Sequence, residues 1–296
     1  MSTVTQSFIE MMEGRVEALK AKSDWSGAQT TAATTVDSAR EQYDADPTTV
    51  GVYAKAVEIQ ANVYRDYGDK ETAQTLYSAI VDLLEDTFDY RALCGRVGAN
   101  LALFYEEQEL LEDAVNFYSW ALENFENANP PEWGEAAGVL NNMAFLYEND
   151  GNIPQAEALF MKALQINNDN FGPNHEATAD VWNNLGGLHY KAGKYAQSLE
   201  MHKLALDIRI ETLGERHTET AQSWGNLALA YTALEDLDNA KNCFQSALTI
   251  LESSSSANAN DYATINSNYA TVLRQYGRDK DAEQVEKRMN KFLKKH

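Results

Sequence analysis

The chain is short of cysteine, proline and positive charge, and each shortage removes a class of protein. Two cysteines among 296 residues, Cys94 and Cys243, stand outside any CxxC and cannot make a disulfide framework. They read as reduced, part-buried thiols. Only 5 prolines interrupt a chain whose residues are 44% hydrophobic, enough for a large core. Lys and Arg number 24 against 45 Asp and Glu, for a formal charge of −21. A nucleic-acid binder needs a basic footprint to displace counterions from phosphates, and an anionic membrane makes the same demand. The only basic cluster is Lys287, Arg288, Lys291, Lys294 and Lys295, which complements the negative end of a C-terminal helix.

Long apolar runs are also missing. The opening MSTVTQSFIEMMEGRVEALK has no charged segment followed by an apolar one, and no stretch approaches a membrane span. We expect a non-secreted, cytoplasmic protein. No P-loop, nucleotide-binding glycine fingerprint, HExxH or nucleophile elbow appears, so no cofactor, no metal and no enzyme activity are expected.

What the chain does have is repetition. VWNNLGGLHY (181–190) is preceded by VLNNMAFLYE and followed by SWGNLALAYT, each 42 residues away. Taking Gly95, Ala137, Ala179, Ala221 and Ala263 as position 1 of successive repeats exposes three columns of small residues. Position 8 is Ala102, Ala144, Gly186, Ala228 and Ala270; position 20 is Ala114, Ala156, Ser198, Ala240 and Ala282. Position 27 is Ala121, Ala163, Ala205 and Ala247, then Met289. Small residues there let two helices approach closely. Larger ones stand between: Tyr105, Tyr147, His189, Tyr231 and Leu273 at position 11, and Tyr118, Phe160, His202, Phe244 and Glu286 at position 24. Gly151, Gly193 and Gly277 near position 15 suit the turn of a helical hairpin. Apolar spacing of three and four residues on both sides is helical, not strand-like. Upstream, Ala54, Ala61, Tyr64, Gly68, Ala73 and Tyr77 follow the same register, and a weaker copy runs from Ile9 through Val16, Leu19, Ala28 and Ala32.

Trp182, Leu185 and Gly186, with Trp224, Leu227, Ala228, Tyr231, Ala240, Phe244 and Ala247, resemble the tetratricopeptide signature. The period exceeds the ordinary 34 residues. The extra length carries a loop shared by NFGPNHEATA (170–179) and TLGERHTETA (212–221). With the doublets Asn141-Asn142 and Asn183-Asn184, this resembles the 42-residue repeats of kinesin light chains. Departures are Glu176 and Thr218 where the family tends to place Pro after the loop His, and the linker ESSSSANAND, which lacks the loop motif. The fold expected is all-α: a right-handed α-solenoid of stacked antiparallel helical hairpins. Residues 1–53 are assigned to a degenerate hairpin or cap. Six repeats follow, 54–94, 95–136, 137–178, 179–220, 221–262 and 263–296, in one continuous solenoid. Glu286 marks a solvent-facing last hairpin.

The resemblance implies a concave groove lined by positions 2, 5, 6, 9, 12 and 13 of each first helix. Position 6 is Asn100, Asn142, Asn184, Asn226 and Asn268, and position 5 adds Asn141 and Asn183. Asn disfavours a helix interior, so the column asks for a reason. A carboxamide donates and accepts, matching the backbone of an extended peptide. Neighbouring candidates for specificity are Arg96, Phe145, Tyr190, Lys191, Leu229, Arg274 and Gln275. The alternative is that the Asn column bonds to the preceding repeat, or is inherited without a ligand. The Lys/Arg clamp of chaperone-binding tetratricopeptide domains is not matched. Kinesin-light-chain-like grooves take Trp-containing acidic peptides, but here basic residues are thin beside Glu106, Glu107, Glu148 and Asp180, leaving neutral, aromatic or mildly basic ligands equally open.

His189 and His202, at positions 11 and 24 of one hairpin, lack further ligands for zinc and read as replacements for Tyr and Phe. A pH-sensitive pair is the other reading. His175 and His217 read as loop structure. The function expected is a non-catalytic scaffold that binds a peptide or extended partner segment, with a bacterial peptide-sensing regulator as the alternative. Residues 1–48 look too featureless for the effector domain which that alternative wants. Nothing in the sequence sets an oligomeric state.

Overall fold

A computed structural model describes residues 6–84, 89–254 and 258–294. Among these residues there are fourteen α-helices and no strand. They form two compact units, Met1–Met143 and Ala144–His296, divided within α7. The first unit contains α1 (Gln6–Lys20), α2 (Trp25–Ala45), α3 (Val50–Tyr67), α4 (Lys70–Leu84), α5 (Arg91–Glu107) and α6 (Leu111–Glu126). α7 spans Trp133–Asn149, and the second unit continues with α8 (Ile153–Asn170), α9 (Glu176–Lys191) and α10 (Tyr195–Leu213). α11 (Thr218–Ala233), α12 (Leu237–Ser253), α13 (Ala259–Gln275) and α14 (Asp279–Leu293) complete it. In each unit successive helices pack on one another, and first helices of neighbouring hairpins also touch, α1 on α3, α9 on α11 and α11 on α13. This is the solenoid architecture of stacked antiparallel hairpins.

One turn joins the two helices of every hairpin. Position 15 has positive φ in all seven: Ser23 (59°), Gly68 (97°), Glu109 (60°), Gly151 (81°), Gly193 (74°), Glu235 (61°) and Gly277 (69°). The next residue's N–H reaches back to the carbonyl of position 11. The seven bonds, from Asp24, Asp69, Leu110, Asn152, Lys194, Asp236 and Arg278, measure between 2.8 and 3.0 Å. Such a left-handed residue satisfies carbonyls that the helix end would leave unpaired. Gly151, Gly193 and Gly277 are the turn glycines of the sequence pattern; Ser23, Glu109 and Glu235 show that the conformation persists without glycine. The next helix then starts on a side-chain cap in several hairpins, as where Asp24, Asn152 and Asp236 accept from the N–H of Gly27, Gln155 and Asn239.

The small-residue columns lie where the helices approach. Ala102, Ala144, Ala228 and Ala270 are at most 1% exposed, as are Ala114, Ala156, Ser198, Ala240 and Ala282. Tyr118, Phe160 and Phe244 are fully buried against them. In the weakest copy, Ile9, Val16, Ala28 and Ala32 are buried in one cluster with Ala56, Ile59 and Val63 of α3. Glu286 is half-exposed and pairs with Arg274 at 2.8 Å.

The loop motif shared by the α8–α9 and α10–α11 connections caps the next helix. His175 Nδ1 accepts from Ala177 N–H at 3.2 Å and His217 Nδ1 from Glu219 N–H at 3.3 Å. The Thr178 and Thr220 hydroxyls donate to the Gly172 and Gly214 carbonyls, each at 2.9 Å. Forty-two residues apart, Asn167 and Arg209 reach equivalent carbonyls: Asn167 Nδ2 donates to Ala177 O (2.9 Å) and Arg209 Nη1 to Glu219 O (3.1 Å). Both are buried, so these bonds satisfy polar groups while tying one hairpin to the next.

A left-handed non-glycine residue carries strain of roughly 1–2 kcal/mol, partly offset by the larger unfolded-state entropy of glycine. Glu235→Gly should therefore raise the free energy of unfolding by about 0.5 kcal/mol and Gly193→Glu lower it by at least as much, read from urea midpoints. Shifts of the reversed sign, with Glu235→Gly destabilising and Gly193→Glu stabilising, would show that the turn is not under strain.

Candidate functional site

The second unit carries a pocket of about 210 Å³ on the face made by the end of α7, by α9 and by α11. Seven of the fourteen residues expected in a groove line it: Phe145, Asn183, Asn184, Tyr190, Lys191, Asn226 and Leu229. Glu148, Gly187, Leu188 and His202 complete the lining. The pocket has a simple sequence origin. Position 9 is Leu103, Phe145, Gly187, Leu229 and Thr271, so a glycine stands between two large apolar residues of the flanking hairpins. A Cβ built on Gly187 would meet nothing within 4 Å, so the backbone does not demand glycine there. The missing side chain is what opens the wall.

The walls are held from behind. Phe145 meets Phe160 edge-on, ring centroids 5.3 Å apart, and Tyr190 leans on Tyr195 at the same distance. Asn226 Nδ2 donates to Asn183 Oδ1 at 2.8 Å, and His202 Nδ1 lies 3.2 Å from the same oxygen. With Asn183 Oδ1 accepting from both, His202 carries its proton on Nδ1 and its Nε2 is the bare nitrogen. Part of the Asn pattern is thus spent on linking adjacent hairpins, as the alternative reading of the column holds. Asn183 and Asn226 each keep the other half of the amide outside this pair of bonds.

The remaining expected residues are placed elsewhere. Asn268, Arg274 and Gln275 belong to α13, where Arg274 is engaged by Glu286. In the first unit, Asn100 Oδ1 accepts from Arg65 Nη1 at 2.7 Å. Arg96 binds Glu58 through Nε at 2.7 Å and Nη2 at 3.1 Å, with Lys55 on the same carboxylate at 2.8 Å. Burial pushes the Glu58 carboxyl up, but Arg96 and Lys55 together hold it below the usual range. Asn141 and Asn142, also in the first unit, are half-buried. Asp180, expected to dilute positive charge in the groove, is taken up by Arg209 Nη2 at 2.6 Å.

Two residues gained importance from the structure. Glu148 looked like dilution of positive charge; its side chain is only 4% exposed and lines the pocket. His202 read as an aromatic replacement or half of a pH-sensitive pair, and it both packs and lines the pocket. Its ring occupies the space that a Cβ on Gly186 would take, 2.6 Å from that position, which explains glycine where the other repeats have alanine. His189 is buried too, with Nδ1 unpartnered among the described residues and Nε2 3.9 Å from Glu157. Burial lowers its pKa.

Burial, and secondarily the Arg209 charge, lowers the His202 pKa from 6.5 to about 4. Between those values the unfolded chain binds a proton that the folded chain refuses, so stability falls as pH drops from about 6.5 to about 4 and its His202 share levels off below. The full loss is on the order of 3 kcal/mol. His202→Phe, the residue type of Phe160 and Phe244, should flatten the stability–pH curve across this window relative to the parent. Parallel curves from denaturant titrations would refute the assignment.

Among the described residues, no cluster of three or more His, Cys, Asp or Glu side chains could hold a metal ion. No described helix is long and apolar enough to cross a membrane. No curated protein matches the sequence. A tetratricopeptide repeat model matches residues 135–211, 177–253 and 219–288, together more than half of the chain. Among solved structures, the chain is similar to BtubC (BKLC) from P. vanneervenii, at 25% identity and a TM-score of 0.64 over 75% of this chain and 89% of that one. A putative kinesin light chain from Podosopora anserina, with nearly identical repeats, superimposes with a TM-score of 0.55 at 17% identity over 68% and 95%. The apo quorum sensor NprR from B. thuringiensis shares the fold at 13% identity and a TM-score of 0.60 over 97% and 87%. The chain belongs to the tetratricopeptide repeat family of protein-interaction scaffolds, with repeats like those of kinesin light chains.

Proposed function

We propose that this chain is a non-catalytic scaffold that captures an extended peptide segment of a partner protein on the first-helix face of its second unit. One observation carries the reading: the gap at Gly187 makes a pocket walled by Phe145, Leu229 and Tyr190 and edged by Asn183, Asn184 and Asn226. Ligand sites combine mostly apolar walls with a few polar groups that fix orientation. A volume of about 210 Å³ suits one large apolar side chain, while the amides address the backbone on either side. Asn100, Asn141, Asn142, Asn268, Arg96, Arg274 and Gln275 stay candidates for contacts elsewhere along a longer ligand. The NprR likeness rests on the fold alone and adds no signalling peptide to this proposal.

The test is a random-peptide display selection on the full chain, followed by affinities of the selected peptides. Gly187→Leu should fill the pocket and weaken binding at least tenfold. It should also leave the fold intact or raise its stability by up to about 1 kcal/mol, because leucine favours a helix interior over glycine. Asn184→Ala should cost roughly 1 kcal/mol of affinity, about fivefold. Failure to select any peptide, or undiminished binding by folded Gly187→Leu protein, would sink the proposal.

A further inference from the structure

A buried carboxylate stands in the pocket with a partner poorly suited to keep it. The Glu148 side chain is 4% exposed. Its ion-pair partner is Lys191, whose ammonium approaches Oε1 at 3.0 Å from a side chain that is 63% exposed. Lys191 projects from the last turn of α9 into solvent, and the contact engages only one of the two carboxylate oxygens. Exposed lysines gain little from a single ion pair, because water and rotamer entropy compete for them. A carboxylate removed from water, by contrast, needs good partners. The site therefore favours replacing Lys191 with a cation that the apolar walls shield from water once bound and that can meet both oxygens.

The surroundings narrow what that cation is. Phe145, Leu188 and Leu229 supply apolar walls beside Glu148, so the cation must be carried next to an apolar group. The chain's formal charge of −21 attracts basic segments and repels acidic ones at long range. Resting on the peptide reading above, we propose that the pocket is a two-part subsite for a basic partner segment. A large apolar side chain would fill the gap at Gly187, and a neighbouring Arg or Lys would displace Lys191 to pair with Glu148. Arg suits the place better, since its guanidinium can donate to both carboxylate oxygens at once.

The experiment uses the full chain and synthetic peptides, acetylated and amidated, each with one large apolar residue and a second position one to four residues away. That second position is Arg, Lys, Gln or Glu in matched sets, and affinity is read by fluorescence anisotropy. Arg peptides should bind about tenfold more tightly than their Gln counterparts and Glu peptides weakest, with the Arg advantage shrinking as salt rises. In Glu148→Gln the Arg advantage over Gln should shrink to the small, salt-sensitive part that the chain's overall negative charge supplies. Lys191→Met, at an exposed position, should strengthen the Arg peptide by removing its competitor. A preference for Glu peptides, or an Arg advantage undiminished in Glu148→Gln, overturns the cation subsite while leaving peptide capture standing. If no peptide of any set binds, or if all bind Gly187→Leu as well as wild type, peptide capture itself fails and the subsite falls with it.

Discussion

The structure depends on one backbone device, the left-handed residue at position 15 followed by an N–H that returns to the carbonyl of position 11. It recurs in all seven hairpins, from Ser23 to Gly277. By reversing the chain in the same way each time, it sets which positions of the two helices face each other. The columns at 8, 20, 24 and 27 have structural meaning only because that reversal does not vary. Where glycine is absent, Ser23, Glu109 and Glu235 adopt the same conformation.

Upon that frame, side-chain volume is traded within hairpins. Alanine at position 8 accepts Tyr118, Phe160 or Phe244 from position 24. In the α9–α10 hairpin the small partner shrinks to Gly186 and the ring becomes His202, which the extra space admits. The imidazole keeps the planar shape of an aromatic but adds a donor, and that donor meets Asn183. The same substitution thus links core packing to the pocket, at the expense of stability below about pH 6.5.

The pocket follows from a second local reduction, at Gly187. Neighbouring Phe145 and Leu229 fill their places in the same column, so removing one side chain between them leaves a gap rather than a collapse. Rigid helices cannot close over it without breaking the turn and column register on both sides. The pocket is an omission within a repeat. It differs in kind from a motif added to one.

The repeat period, the helical hairpins, the small-residue columns and the loop role of His175 and His217 were legible in the amino-acid order. Each depends on contacts between residues close in sequence, or on a spacing copied from one repeat to the next. Seven of the expected groove residues line one pocket, because a fixed turn makes register predict direction. What the order did not contain was how individual polar groups are satisfied. Asn226 with Asn183 and Arg65 with Asn100 are pairings across neighbouring hairpins, and Arg209 with Asp180 joins the two helices of one. Glu148 became a pocket residue only when burial and the reach of Lys191 were known. Periodicity determines where a side chain points. Only the tertiary packing decides what it meets, because long polar side chains choose partners by distances between hairpins that no single repeat encodes.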